Sequence, residues 1–146
     1  MITKKIVIAS DHAGFQLKEK IVKYLTNKGL EILDVGTFDD QASDYPDFAH
    51  KMAEEIECGN FDFGISICGS GNGINMTANK HQGIRSALCW NEEIARLARL
   101  HNDANVCALP ARFIDDQLAY KMVDTFFETG FEGGRHLTRV EKIPLN

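Results

Sequence analysis

Short apolar runs alternate along the chain with longer stretches in which apolar residues recur every three or four positions. The runs are rich in β-branched and aliphatic residues and have the length of buried strands. In the longer stretches the spacing is that of a helix with one buried face, as for Leu17, Ile21 and Leu25 in the first of them. The pattern predicts strands over 5–10, 30–36, 62–68, 83–89 and 104–110, and helices over 15–28, 46–58, about 74–80, 91–102 and 115–130.

This alternation predicts a three-layer αβα sandwich. Consecutive parallel strands need crossover connections, these are right-handed, and helices then cover both faces of the sheet. We expect an α/β fold with a single domain over 1–146 and a five-stranded parallel sheet of the Rossmann-like class, in strand order 2-1-3-4-5. The segment from about 131 to 146 lacks periodicity, so we expect a C-terminal tail that packs across another part of the protein.

Composition excludes several classes of protein. A formal net charge of -5 gives no basis for binding nucleic acid or an anionic membrane surface. The apolar core of the N-terminal segment is too short for a signal peptide, and no run approaches the roughly 18–20 apolar residues of a membrane span. We therefore expect a cytoplasmic protein. The four cysteines show neither the CxxC spacing of a zinc or redox site nor the density of a disulfide scaffold, which predicts reduced thiols and no metal.

Two polar clusters follow the first and third predicted strands. Asp11 and His12 end the first strand, and the run CGSGNG, from Cys68 to Gly73, ends the third. Ligands of such sheets bind outside the carboxyl ends of the strands, where the strand order reverses, so we expect the clusters to face each other across one cleft. The glycines allow backbone N–H groups to form an anion-binding concavity, which together with His12 favours the thiolate of Cys68. The other cysteines, at 58, 89 and 107, have no such neighbours and are interpreted as core or helix-end residues.

The glycine run does not match the common phosphate-binding motifs. Ile74 stands where the dinucleotide motif GxGxxG needs its last glycine, and no GK[ST] follows as in a P-loop. A phosphatase loop would carry an arginine a few residues after the cysteine, whereas the next arginine is Arg85. The run therefore indicates a different use of an anion-binding turn.

Several isolated polar residues are candidates for binding. His101 and Asn102 end the fourth predicted helix, where a histidine is often only a partner of the helix dipole. The simpler interpretation of three arginines is that they are solvated surface charges: Arg112, Arg135 and Arg139. The GGRH segment would nevertheless let Arg135 approach a ligand closely. The remaining histidines are interpreted as residues of polar helix faces: His50 and His81.

A series of short motifs occurs in a fixed order along the chain: Asp11-His12-Ala13-Gly14, Asp44-Tyr45-Pro46, Cys68-Gly69-Ser70-Gly71-Asn72-Gly73, Ala78-Asn79-Lys80, Gly83-Ile84-Arg85, His101-Asn102-Asp103 and Gly133-Gly134-Arg135-His136. Over nearly the whole chain this series resembles the type B ribose-5-phosphate isomerase family. The family also includes the subunits of galactose-6-phosphate isomerase and the allose-6-phosphate isomerases. Each motif alone is weak evidence for this resemblance, whereas their combination is specific.

The resemblance implies an enzyme that interconverts ribose 5-phosphate and ribulose 5-phosphate through a cis-enediolate, without metal or organic cofactor. It implies that Cys68 moves a proton between C2 and C1, that Ser70 assists at the oxygens, and that His101 opens the sugar ring with Asp11 nearby. Enediolate charge would meet the amides of the loop formed by Gly69, Gly71, Asn72 and Gly73. The other implied substrate contacts are His12, Arg112, Arg135 and Arg139 at the phosphate, and Tyr45 and Asn102 along the sugar.

Two positions separate this chain from other members of that family. One branch lacks the cysteine and uses a glutamate directly after the glycine loop, where this chain has Ile74, so Cys68 is the candidate base. Many ribose-type members have threonine in place of Ser70, which keeps the hydroxyl.

Topology predicts that the site is shared between subunits. The fourth helix returns from the carboxyl edge of the sheet to its amino edge, so His101 at its end should not reach Cys68 of the same chain. The resemblance also implies a homodimer, or a dimer of dimers, with each site built from two chains.

Other functions remain open from the sequence. A hexose 6-phosphate of the galactose or allose type could replace the pentose phosphate. A non-catalytic sugar-phosphate-binding subunit would bind without turnover, and a cysteine-nucleophile hydrolase would form a covalent intermediate.

Overall fold

The computed structural model describes residues 4–145, and within them a five-stranded parallel sheet is covered by helices on both faces. The predicted α/β sandwich is confirmed. Its strands are β1 (Lys5–Ser10), β2 (Glu31–Asp34), β3 (Phe63–Cys68), β4 (Ser86–Leu88) and β5 (Val106–Pro110). Its helices are α1 (Phe15–Asn27), α2 (Tyr45–Glu57), α3 (Asn72–Ala78), α4 (Glu92–Asn102), α5 (Asp116–Glu128) and α6 (Arg135–Glu141). None of the described helices has the length and apolar character that crossing a membrane requires.

The strand order is β2-β1-β3-β5-β4, so the expected order 2-1-3-4-5 is wrong for the last two strands. Strand β5 pairs with β3 from Gly64↔Val106 to Cys68↔Pro110, and β4 pairs only with β5. All five residues of β5 are buried, whereas the three residues of β4 are partly exposed. Burial of apolar surface therefore favours β5 inside the sheet and the short β4 at its edge.

The sheet separates two apolar cores, because alternate residues of each strand point to opposite faces. Ile6 and Ile8 of β1 pack on one face with α1, α4 and α5, where Phe126 is fully buried. Val7 and Ala9 of β1 point to the other face, toward α2 and α3. Between these cores, β1 and β3 pair in parallel, so their carboxyl ends lie side by side.

The C-terminal tail contains a helix that the sequence did not predict. Gly133 and Gly134 have φ of 74° and 57° and turn the chain into α6, which packs against α4. His136 and Val140 are buried on one side of α6. Two buried positions four residues apart are too few to show as a periodic pattern, which is why this helix was missed.

The turn that follows β1 approaches strand β3 closely at Gly14. A Cβ at Gly14 would lie 2.6 Å from the carbonyl oxygen of Ile67, so a larger side chain would force the backbone to move. We expect Gly14→Ala to lower the free energy of unfolding by about 1–3 kcal/mol, measured by urea denaturation.

Gly130→Ala is the matched control for this substitution, because a Cβ at Gly130 would meet nothing within 4 Å. We expect its stability to equal or slightly exceed that of the parent protein. Equal urea midpoints for the two variants would show that the contact at Gly14 is not a tight one.

Candidate active site

A cavity of about 520 Å³ lies at the carboxyl ends of β1 and β3. Strand β1 leads into Asp11 and His12, and β3 ends at Cys68, so parallel pairing of the two strands brings these residues to one edge. The expected cleft between the two clusters is therefore present. Its walls are formed by Asp11, His12, Ala13, Tyr45, Cys68, Gly69, Ser70, Gly73, Arg112 and Phe113.

The glycine loop after β3 depends on the absence of side chains at two of its positions. Gly71 has φ of 77°, in the left-handed region that glycine adopts without strain. At Gly73 a Cβ would lie 2.4 Å from Cζ of Tyr45, so the aromatic ring packs directly on the loop backbone. Gly71 is buried beneath the loop and Asn72 is exposed as the first residue of α3, and neither lines the cavity.

Cys68 lies at the floor of the cavity with only 4% of its surface exposed. It packs with Ala49 and Ile74, which leaves one apolar side and one side made by the loop. The hydroxyl of Ser70, which is exposed, accepts a hydrogen bond from the Asn72 amide at 3.3 Å. Because the thiol is nearly buried, electrostatic effects on it are stronger than they would be in water.

Arg112 reaches the glycine loop from the turn that follows β5. Its amide donates a hydrogen bond to the carbonyl oxygen of Gly69 at 3.0 Å, and its Nη1 lies 3.0 Å from the position that a Gly69 Cβ would take. The guanidinium is exposed at the mouth of the cavity. It therefore places a permanent positive charge where an anionic group could enter.

Asp11 and His12 are held by local hydrogen bonds. Oδ1 of Asp11 accepts from the amides of Ala13 and Gly14, at 3.0 and 3.1 Å, and so caps the turn that begins α1. The Ser43 amide donates to Nδ1 of His12 at 3.2 Å, and the His12 amide donates to the Ser43 hydroxyl. Nδ1 of His12 also lies 3.3 Å from the carbonyl oxygen of Ser43, so the Ser43 backbone occupies this nitrogen and Nε2 is the ring nitrogen left to meet an anion.

Ser43 is a supporting residue that sequence reasoning missed. Nothing in its own residue type pointed to His12, which is 31 positions away. Its place directly before the Asp44-Tyr45-Pro46 motif was the available signal. Tyr45 starts α2 and lines the cavity beside His12.

The other predicted site residues lie away from this cavity. Helix α4 ends at Asn102, just before β5 begins at Val106 on the amino edge of the sheet. Cys68 pairs with Pro110 at the opposite end of β5, and four steps of strand span roughly 13 Å. His101 and Asn102 are therefore at the amino edge, together with the α6 arginines, Arg135 and Arg139.

The end of α4 is fixed by a buried arginine that the sequence did not reveal. Nη1 of Arg99 donates to Oδ1 of Asp103 at 2.9 Å and to the carbonyl oxygen of Ala104 at 2.7 Å. Asp103 has φ of 47°, and its carbonyl oxygen also accepts from Nε of Arg85 at 2.8 Å. These bonds hold the chain directly after His101 in one conformation.

The remaining cysteines lie outside the cavity, in the places expected of core and helix-end residues. Cys89 and Cys107 are buried, and Cys58 is exposed at the end of α2. The pKa of Cys107 is raised well above its usual value, mainly by a hydrogen bond with Cys89 and to a lesser extent by burial of the thiol. A thiol with a raised pKa is a poor nucleophile near neutral pH.

His81 does not lie on a helix face as expected, because α3 ends at Ala78. Its ring is in a loop, with Nε2 at 2.7 Å from Nδ1 of His50 and Nδ1 at 2.7 Å from Oε1 of Glu57. The Gly83 amide, followed by His81, holds the pKa of Glu57 below its usual value. This group ties α2 to the loop before β4.

Comparisons with known proteins agree over nearly the full chain. A family model described as Ribose/Galactose Isomerase matches residues 6–143. Ribose-5-phosphate isomerase B of Escherichia coli is 44% identical over 140 residues, which cover 96% of this chain and 94% of that protein. The crystal structure of a ribose 5-phosphate isomerase from Thermotoga maritima matches with a TM-score of 0.95 at 51% identity, covering 97% of both chains. Ribose-5-phosphate isomerase B of Mycoplasma genitalium, solved with bound ribulose-5-phosphate, matches with a TM-score of 0.92 at 43% identity, covering 98% of this chain and 95% of that chain.

Proposed function

We propose that this chain, which belongs to the ribose/galactose isomerase family, interconverts ribose 5-phosphate and ribulose 5-phosphate. Membership makes it a sugar-phosphate isomerase. The finer assignment is supported above all by one observation: the thiol of Cys68 lies at the floor of a cleft, under a glycine loop and beside the Arg112 guanidinium. A weak acid next to anion-binding groups suits a reaction that forms an enediolate.

Proton transfer in this proposal is carried by Cys68. The thiolate removes the proton from C2 of the open-chain aldose, and the C2–H electron pair becomes the C1–C2 double bond of a cis-enediolate. The thiol then returns the proton to C1, which leaves a ketone at C2. Ser70 passes a proton between the two oxygens, and the loop amides stabilise the oxyanion as it forms.

We assign phosphate binding to cationic side chains from both edges of the sheet. His12 and Arg112 line the cleft and offer Nε2–H and guanidinium donors. Arg135 and Arg139 are exposed and one turn apart on α6, so both can point at one anion. Within one chain, α6 packs against α4, which ends at the amino edge of the sheet.

The two groups of residues are separated within one chain, so we infer that the working site forms between two copies. One copy supplies the cleft with Cys68, and the other supplies His101, Asn102 and the α6 arginines. Two exposed apolar side chains support such contact: Phe113 at the cleft is 75% exposed and Leu137 on α6 is 47% exposed. A homodimer, or a dimer of dimers, satisfies this requirement.

Proton NMR in D2O tests the reaction and the substrate together. We expect the purified protein with EDTA to convert ribose 5-phosphate into ribulose 5-phosphate, with deuterium entering the transferred position. Parallel samples of allose 6-phosphate and galactose 6-phosphate should react much more slowly.

Turnover of a hexose phosphate alone would contradict the pentose assignment and keep the chemistry. Binding of all three phosphates without turnover of any would contradict the catalytic role of the loop. Activity that EDTA abolishes would contradict a mechanism carried by protein groups alone.

A further inference from the structure

A carboxylate in the C-terminal tail, Glu132, lies beside the ring of His101. Its Oε2 is 3.7 Å from Nε2 of His101 and 3.8 Å from Nε2 of His136. We propose that Glu132 is a positioning residue for ring opening, which holds the ring of His101 in place to donate a proton to the sugar's ring oxygen. The inference rests on the proposed function and extends it to a residue outside the family motifs quoted above.

The backbone brings Glu132 to this place. Its amide donates to the carbonyl oxygen of Leu100 at 2.9 Å, which attaches the tail to the last turn of α4. The two glycines that follow, Gly133 and Gly134, then turn the chain away into α6. The side chain of Glu132 therefore lies along the end of α4, next to His101.

His136 forms the other wall of the group. Its ring stacks on that of His101, with the centroids 4.2 Å apart and the planes at 11°. Burial, followed by the positive charges of His101 and Arg135, lowers the pKa of His136. His136 is therefore the neutral partner of the stack, and it fixes the plane of the His101 ring.

The charges around His101 show why a carboxylate matters here. Arg135 and Arg139 of α6 bring positive charge to this stack of rings, and a nearby carboxylate offsets it. Among residues 4–145, Glu132 is the carboxylate within ion-pair distance of His101. The charged groups that act on the two stacked rings are Glu132 in the tail and Arg135 and Arg139 on α6, whereas the Asp103 carboxylate is bonded to Arg99.

A metal ion is a poorer explanation of the same cluster. The donor atoms of His101, Glu132 and His136 lie within 4.8 Å of one another, a distance that a bound cation could bridge. However, the two rings are stacked in nearly parallel planes, so their in-plane lone pairs lie in separate planes and do not converge on one ion. The adjacent guanidiniums of Arg135 and Arg139 also repel a cation.

Ring opening is a separate step from proton transfer at carbon. In the furanose form the C1–O4 bond breaks, O4 takes the proton of the His101 imidazolium, and the anomeric hydroxyl passes its proton to the Asp11 carboxylate of the other half-site. Ribulose 5-phosphate carries its phosphate on O5 and cannot close a furanose ring. Exchange of its C1 hydrogen with solvent through the enediolate therefore needs Cys68 but not ring opening.

Glu132→Gln separates these two steps, because it removes the charge and keeps the size of the side chain. We expect kcat for ribose 5-phosphate to fall about 10- to 100-fold. Deuterium uptake at C1 of ribulose 5-phosphate in D2O should stay within about threefold of wild type, since that exchange bypasses the ring-opening acid.

Glu141→Gln is the matched control, since Glu141 is an exposed carboxylate on the same short helix. We expect wild-type kcat and exchange from it. Equal losses of turnover and exchange in Glu132→Gln, or no change in either, would overturn the proposal. Wild-type protein that neither converts ribose 5-phosphate nor exchanges ribulose 5-phosphate would instead overturn the proposed function.

Discussion

Replacing Cys68 by alanine should lower kcat for ribose 5-phosphate by about 10²- to 10⁴-fold, the range expected when a positioned acid or base is lost. The thiol lies under the glycine loop. The position directly after the loop, where one branch of the family has a glutamate, is Ile74 in this chain and cannot take a proton. KM should change little, since the cations assigned to phosphate remain. Steady-state kinetics with ribose 5-phosphate measures both quantities.

The matched control for Cys68→Ala is Cys58→Ala, because Cys58 is exposed at the end of α2, away from the cleft. It should retain full activity. Exchange at C1 of ribulose 5-phosphate should fall by a similar factor with Cys68→Ala, because it depends on the same proton transfer. A Cys68→Ala protein that keeps its fold and a tenth or more of its activity would remove this residue from the reaction.

Mixing two inactive variants should restore activity. Cys68→Ala damages the cleft, and His101→Ala damages the group at the end of α4. In a mixed dimer one site combines the intact cleft of one chain with the intact His101 of the other. If subunits exchange at random, half of the dimers are mixed and each holds one intact site, so we expect about a quarter of wild-type activity.

Subunit exchange must be shown independently for this result to count, for example by energy transfer between labelled chains. A Cys68→Ala, His101→Ala double variant mixed with either single variant is the control, and it should restore nothing. Absence of recovery under demonstrated exchange would mean that Cys68 and His101 act within one chain. That outcome would require α4 to lie differently against the sheet, since the two residues are at opposite edges of it.

The cleft followed from local sequence features and one topological rule. Apolar runs located β1 and β3, and the rule that ligands bind at carboxyl ends located Asp11, His12 and Cys68 together. These inferences needed no knowledge of distant contacts. The separation of His101 from Cys68 followed from the direction of α4 and holds although the strand order was wrong, because β4 and β5 are parallel in either order.

What the sequence did not predict depends on contacts between distant segments. The position of β5 inside the sheet is decided by which strand buries both faces, a comparison that the separate apolar runs do not make. Ser43, Arg99 and Glu132 act through partners that only the folded chain brings near. A serine, an arginine or a glutamate in a polar stretch looks the same whether it faces water or supports a histidine.

If each working site forms between two copies, as proposed, the placement of the two half-sites at opposite edges of one sheet has a genetic consequence. A chain damaged in one half still forms one intact site when paired with a normal chain. A chain damaged in both halves, at Cys68 and at His101, leaves no intact site in a mixed dimer, because each site then contains one damaged half. Such an allele should be dominant negative, whereas alleles damaged in different halves should complement one another.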